Sequence, residues 1–315
     1  MRTHILLVTM LLVTASCLFA DQSETIVKLE TTTGTLEGSL LVPKSKAGMP
    51  VVLIIAGSGP TDRDGNNPAM KNNSLKLLAT ELWKNGIASL RYDKRAIGKS
   101  RKAGLKESDL RFEHYIEDAK GWITFLKKDK RFNQFIVIGH SEGSLIGLIA
   151  SQEKSVDKFI SIAGVGQSAD KTLKEQLKSQ PPAVLEMSLP IIDKLVQGET
   201  VDNVNPMLYS LFRPSVQPYM ISWFKYDPPK EISKLKIPVL VIQGSTDIQV
   251  SEDDAQMLAE ANPKTIKKVI KGMNHIFKKA ELNRTKNIAT YNQPELPVMP
   301  ELVESIVGFI KKNQK

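Results

Sequence analysis

The chain has a single cysteine, Cys17, in 315 residues. No intrachain disulfide is available, so stability has to come from buried apolar surface. Aromatic residues make up 6% and are not interleaved with the basic ones. With no recognisable nucleic-acid module, that argues against a nucleic-acid partner. Four histidines are present, and no His/Cys/acid cluster has metal-ligand spacing. After the N-terminus no apolar stretch is long enough to span a bilayer, so no stable membrane span is expected in the mature chain. There is no internal repeat and no low-complexity tract. Any chemistry therefore falls to ordinary side chains, with few histidines to choose from.

What is present begins with an export pattern. Arg2 precedes an apolar run from Ile5 to Val13, followed by small residues and Leu18-Phe19-Ala20-Asp21. A basic start, an apolar core and a small residue at the cut describe a secretory signal over residues 1–20, with a mature chain of 21–315. Cleavage after Ala20 is the preferred reading. Thr14-Ala15-Ser16-Cys17 offers a weaker one, lipidation at Cys17. Both export the protein, to the periplasm or the medium. The formal charge is +9. Its densest cluster, Lys127-Lys128-Asp129-Lys130-Arg131, falls at an expected helix end, where cations suit the dipole.

Along the chain, Ile26–Thr33 and Thr35–Val42 alternate about Gly34 and read as a hairpin. Val51–Ile55 is continuously apolar, as in a strand buried on both faces. Helical spacing covers Ser74–Asn85 and Phe112–Lys128, with strands at Ile87–Tyr92 and Phe135–Ile138. A strand at Phe159–Ala163 precedes a proline-rich, strand-free region, about 166–230. Strands then resume at Ile237–Gln243 and Thr265–Ile270, with helices at Glu252–Ala261 and Pro300–Lys312. This order predicts an α/β fold. Its mostly parallel central sheet carries helices on both faces and is interrupted by an inserted helical cap. The most aromatic part of the cap, Pro218–Tyr226, fits two readings equally: lining of a substrate pocket, or the cap's own core.

The chemistry centres on Gly139-His140-Ser141-Glu142-Gly143, set between an apolar strand and an apolar helix. In such a strand–turn–helix the serine sits in a strained turn with its hydroxyl exposed at the end of the sheet. A serine hydroxyl needs a base. His4 leaves with the signal, and His114 lies upstream at a helix start, where capping or a surface role is expected. His140 adjoins the serine, but the turn directs neighbouring side chains apart, so a pocket-lining role is expected. His275, in a loop just after a strand, is the candidate base. Asp247, also just after a strand, is the candidate acid. Asp253 and Asp254 suit a helix start, and Asp227 precedes two prolines in the cap. Two backbone N–H groups should face the developing oxyanion. Glu142 supplies one, acting through its amide rather than its carboxylate, so Glu142→Gln is expected to cost little. Gly57-Ser58-Gly59 supplies the other, with Ser58 preferred over Gly57 or Gly59.

The order Ser141, Asp247, His275 and the glycine-rich loop at 57–59 resemble the α/β-hydrolase superfamily over essentially the whole mature chain. Arg91-Tyr92-Asp93-Lys94-Arg95-Ala96-Ile97-Gly98-Lys99-Ser100 is similar to a segment common there, with Ala96 in place of the usual glycine. The whole chain, with the stretch Gly57–Asn66, looks most like secreted or periplasmic bacterial carboxylesterases with a helical cap. Just before that stretch Ala56 replaces the histidine of the common His-Gly motif. The resemblance implies a serine ester hydrolase acting on a small-molecule ester, with no cofactor and no metal. The alternatives are a peptidase, amidase or thioesterase on the same triad, and a non-catalytic binding protein that kept the fold. The sequence specifies no oligomeric state. Asp93 stands where a phosphate-binding loop ending in Gly98-Lys99-Ser100 needs its first glycine, so a nucleotide reading fails there. Gly164-x-Gly166 reads as a flexible lead into the cap, and Asp62–Asn66 as a charged turn supporting the 57–59 loop rather than a calcium loop.

Overall fold

Among the described residues eight strands form: β1 (Glu24–Thr31), β2 (Gly34–Leu41), β3 (Met49–Ile55), β4 (Ala88–Tyr92), β5 (Phe132–His140), β6 (Lys158–Ile162), β7 (Val239–Gly244) and β8 (Thr265–Ile270). The computed structural model describes residues 24–44 and 48–312. The expectations for the signal segment, Cys17 and His4 lie outside those residues. The strands make one sheet in the order β1-β2-β4-β3-β5-β6-β7-β8. β1 and β2 are antiparallel to their neighbours, and every pairing from β4 to β8 is parallel. The expected hairpin is β1–β2.

The helices are α1 (Ser74–Lys84), α2 (Phe112–Lys127), α3 (Glu142–Ala150), α4 (Ala169–Leu177), α5 (Pro182–Val196), α6 (Tyr209–Phe212), α7 (Gln217–Phe224), α8 (Pro228–Ser233), α9 (Glu252–Ala261), α10 (Arg284–Ala289) and α11 (Pro300–Lys311). The sheet is covered on both faces because its central strands are apolar on both. In β3, Val51, Leu53 and Ile55 join one core with α2, α3 and α9, while Val52 and Ile54 join the other with α1 and α11. The buried apolar residues of α1 are Leu75, Leu78, Ala79 and Leu82, the spacing of a single helical stripe. Burying each large apolar side chain contributes about 1.5–3 kcal/mol, offsetting the ordering entropy of the chain.

Two polar side chains close the scaffold. Lys158 in β6 donates to the carbonyls of Phe309 (2.8 Å), Ile310 (2.9 Å) and Lys312 (2.9 Å), so it satisfies the C-terminal end of α11. His114 caps α2 by accepting from Arg111 N (3.0 Å), as its position suggested. β7 starts at Val239, not Ile237, because Pro238 has no N–H to give a ladder.

Between β6 and β7 lie α4 to α8, with no strand. Pro182, Pro218 and Pro228 occupy first-turn positions, where a missing N–H costs nothing. The aromatic stretch of α7 rests on α2. Phe112 stacks on Trp223 at 5.9 Å between centroids and meets Tyr226 at 5.3 Å and Tyr219 at 6.2 Å. The rings thus pack on α2, outside the insertion, rather than forming a core of the cap's own, and none of them lines the cavity at Ser141. Phe212 is fully buried and Met207 is exposed.

Candidate active site

β5 ends at His140, and the chain turns at Ser141 with φ 54° and ψ −123° before entering α3. A positive φ is costly for a residue with a Cβ, and here the surroundings impose it. Ser141 N donates to Ile162 O at 3.0 Å, and Ser144 N to Ser141 O at 2.9 Å. The flanking glycines are needed for contact, not only for flexibility. A Cβ on Gly139 would lie 2.2 Å from Gly143 O, and one on Gly143 2.4 Å from Ile55 O. Strand and helix can approach this closely only without those carbons.

Asp247 follows β7 and His275 follows β8. His275 Nδ1 and Asp247 Oδ2 are 2.8 Å apart. Both side chains are nearly inaccessible, at 6% and 1%. Burial pushes the Asp247 carboxyl up, but the imidazole charge, its hydrogen bond and the amides of Gln249 (2.8 Å) and Val250 (3.0 Å) outweigh that and hold it below the ordinary value. An ionised carboxylate only accepts, so Nδ1 donates to it, and in the neutral ring that leaves the lone pair on Nε2. Ser141, His275, His140, Gly57 and Ser58 line one cavity of about 180 Å³. The chain thus brings together at one cavity Ser141, the glycine-rich loop and His275, the candidate base, which is paired with Asp247, the candidate acid. That loop lies against the serine: a Cβ on Gly57 would be 3.1 Å from Ser141 Cβ. Glu142 N, in the first turn of α3, has no carbonyl within its own helix to bond.

Residues 71–228 match the family described as serine aminopeptidase, S33. The chain belongs to this family. The matched span holds Ser141 and ends before Asp247 and His275. Outside that span the cavity geometry carries the reading. The chain is 29% identical to esterase EstD of Thermotoga maritima over 239 residues, 74% of its own length. It spans about half of that relative, 55%. Among solved structures, Est1E of Butyrivibrio proteoclasticus with ferulic acid bound superposes with a TM-score of 0.62 at 16% identity, over 90% of this chain and 98% of that one. Esterase Pf2001 of Pyrococcus furiosus gives 0.56 at 20% identity, over 92% of each chain. The fold is the α/β-hydrolase fold.

His140 lines the cavity with its Nε2 turned to the backbone of His275 rather than to Asp247. Its Nε2–H donates to His275 O at 2.9 Å, and its ring lies 4.7 Å from that of His275 and 4.8 Å from Phe277. Burial, then the neighbouring His275 charge, lowers its pKa to about 3. Between the ordinary value of 6.5 and that value, the unfolded chain binds a proton that the folded chain refuses. Stability is therefore complete above about pH 6.5 and falls as pH drops toward 3, by up to about 1.4 kcal/mol per pH unit. His140→Gln keeps a donor for His275 O and should flatten the fall in Tm between pH 6.5 and 4. Thermal unfolding across that range measures it, and an unchanged slope would assign the acid sensitivity to other groups.

The surrounding charges are structural, as expected for Asp93 and Arg95. Asp93 accepts from Arg63 N, Arg63 Nη2 and Lys99 N, each at 2.8 Å. Its carboxylate thus lies against Gly98, 2.4 Å from where a Cβ there would sit. Arg95 forks onto buried Asp118. In the 62–66 turn, Asp62 Oδ1 accepts from the amides of Asp64 and Asn66, both 2.9 Å, and Asp64 pairs with Arg91. These oxygens are committed to the turn. Among the described residues no group of three or more His, Cys, Asp or Glu is arranged to hold a metal. Asp254 and Asp227 cap α9 and α8. Ala96 has φ 68°, a left-handed conformation that glycine adopts more readily than alanine.

Two expectations need correction. Gly164 and Gly166 are close-packing positions, not a flexible lead: a Cβ would lie 2.3 Å from Ser161 Oγ and 2.4 Å from Asp254 O. Glu142 is not limited to its amide. Its carboxylate is 3% exposed and bonds Lys94 Nζ (2.9 Å) and Tyr219 OH (2.5 Å). Glu142→Gln would leave Lys94 without its counter-charge in a buried site, so it is not a silent change. Sequence reasoning missed Lys94 altogether. The one available signal was a lysine between two residues, Asp93 and Arg95, already read as bracing the active site.

Proposed function

We propose that this protein is a serine hydrolase that cleaves small carboxylic esters through an acyl-enzyme. The observation that carries the reading is the 2.8 Å contact between Asp247 and His275, which lines the same cavity as Ser141. Ser141 Oγ attacks the ester carbonyl carbon while His275 Nε2 takes the hydroxyl proton. Asp247 holds the imidazole and stabilises its cation. Negative charge collects on the former carbonyl oxygen, facing the N–H groups of Ser58 and Glu142. Each such donor is worth about 10²–10³-fold in rate. Collapse expels the alcohol, which receives the proton from His275. Water, deprotonated by the same nitrogen, then releases the acid.

The esterase relatives support the ester over the amide bond, and the cavity lining adds a physical reason. The family description includes aminopeptidases. An aminopeptidase must recognise a cationic amino terminus, for which a carboxylate is the natural partner. The lining comprises Gly57, Ser58, Thr61, Gly65, Asn67, Met70, Ser74, His140, Ser141, Gln249, His275, Ile276 and Tyr291, with no carboxylate. About 180 Å³ is below the ~300–1,000 Å³ of sites for drug-sized ligands, which favours short acyl chains. The mechanism requires no cofactor. The basic–apolar–small pattern of residues 1–20 supports export.

A fluorophosphonate probe with intact-mass and peptide mass spectrometry tests the reading. One adduct is expected, on Ser141. A parallel panel of p-nitrophenyl esters and aminoacyl p-nitroanilides should show acetate and butyrate turned over at least about 100-fold faster than any anilide, since a cation left without a partner in the site costs several kcal/mol. An unlabelled Ser141 would favour a binding protein, and faster anilide cleavage a peptidase.

A further inference from the structure

Lys94 is a buried cation that the mechanism above leaves unused. It follows β4 by two residues, and its side chain is 1% exposed. Its ammonium donates to Gly57 O at 2.6 Å and to Glu142 Oε2 at 2.9 Å, and lies 5.0 Å from the Tyr115 ring centroid. Glu142 Oε1 accepts from Tyr219 OH in α7. Three segments therefore meet at one charge: the 57–59 loop, the residue after the nucleophile, and the helical insertion.

The covalent connectivity makes the contact informative. The carbonyl of Gly57 belongs to the same peptide unit as the N–H of Ser58. A cation bonded to that oxygen draws electron density along the amide and makes the Ser58 N–H a stronger donor. The other oxyanion donor is the amide of Glu142, whose carboxylate neutralises Lys94. One ion pair thus fixes both donors and polarises one of them. We propose that Lys94 is a positioning residue that strengthens the oxyanion hole through the Gly57–Ser58 peptide, with Glu142 and Tyr219 holding its ammonium in place. This rests on the proposed serine-hydrolase reading and identifies what tunes that site.

A merely structural ion pair would affect stability and leave transition-state affinity alone, so both are measured. The variants are Lys94→Met and the charge-neutral double variant Lys94→Met/Glu142→Gln, which leaves no unpaired buried charge. Readouts are kcat and KM for p-nitrophenyl acetate, Tm, and Ki for a trifluoromethyl ketone. Ser141 Oγ adds to the carbonyl carbon of that ketone, its proton passes to His275, and the oxygen becomes an oxyanion. The isosteric methyl ketone, which stays trigonal, is the reference ligand.

In the folded double variant, kcat is expected to fall about tenfold at unchanged KM, less than the ~10²–10³ for deleting a donor outright. The trifluoromethyl ketone should weaken by the same factor and the methyl ketone should not. Should Lys94→Met alone fail to accumulate as folded protein, the double variant carries the test. A folded double variant with wild-type kcat and wild-type trifluoromethyl ketone affinity overturns the proposal. The two readings separate cleanly. Wild type active and Ser141→Ala inactive keeps the hydrolase reading whatever Lys94 does, and a wild type that neither turns over the ester nor binds the ketone ends both.

Discussion

Ser141→Ala is expected to lower kcat for p-nitrophenyl acetate by roughly 10⁶-fold, with little change in KM. The acyl-enzyme route is closed when its nucleophile is gone, and water must attack directly. The residual rate should still exceed the uncatalysed one by roughly 10³-fold, because both oxyanion donors remain. The fold should be untouched. Backbone bonds to Ile162 and within α3, with the close contacts at Gly139 and Gly143, impose the turn at residue 141, and alanine meets the same φ as serine. Steady-state rates, with the Tm as a control, check this. A folded variant retaining a tenth of wild-type activity would remove Ser141 from the mechanism.

Asp247→Asn is expected to cost about 10⁴-fold in kcat while leaving the backbone in place. The amides of Gln249 and Val250 both donate to Oδ1, at 2.8 and 3.0 Å. An asparagine would keep its oxygen there and turn its NH₂ toward His275 Nδ1 and Gln243 Nε2, which at present donate to Oδ2. Donor would face donor. His275 relieves this by moving its proton to Nε2, and that nitrogen can then no longer accept the proton of Ser141. The anion that stabilises the imidazolium is lost as well. The measurement is kcat at neutral pH on folded protein. Activity within tenfold of wild type would mean that another carboxylate serves His275.

Much of this site was legible in the chain because its parts lie where local signals are strongest. Gly139 and Gly143 flank the serine at a fixed spacing set by backbone contact distances, so the turn is written within five residues. Asp247 and His275 each come within five residues of a strand end, and parallel strands bring such loops to one edge of the sheet. The start of α9 follows from its capping serine, Ser251. Less legible was Pro238, which delayed β7 by two residues through a missing donor.

From its sequence alone the protein was committed to a mostly parallel sheet covered on both faces, because its strands are apolar on both sides and separated by helical stripes. The serine, base and acid were singled out for the same kind of reason: composition left one histidine in a suitable loop, and chain order did the rest. Tertiary structure alone decided what the charges do. Lys94 meets Glu142 across 48 residues and Gly57 across 37, and Glu142 meets Tyr219 across 77. No periodicity spans such separations, and a buried ion pair is worth having only when both charges leave water together. It decided the cap aromatics too. Apolar rings suit a pocket wall or a packed core equally well, and only the position of α2 beneath α7 committed them to packing.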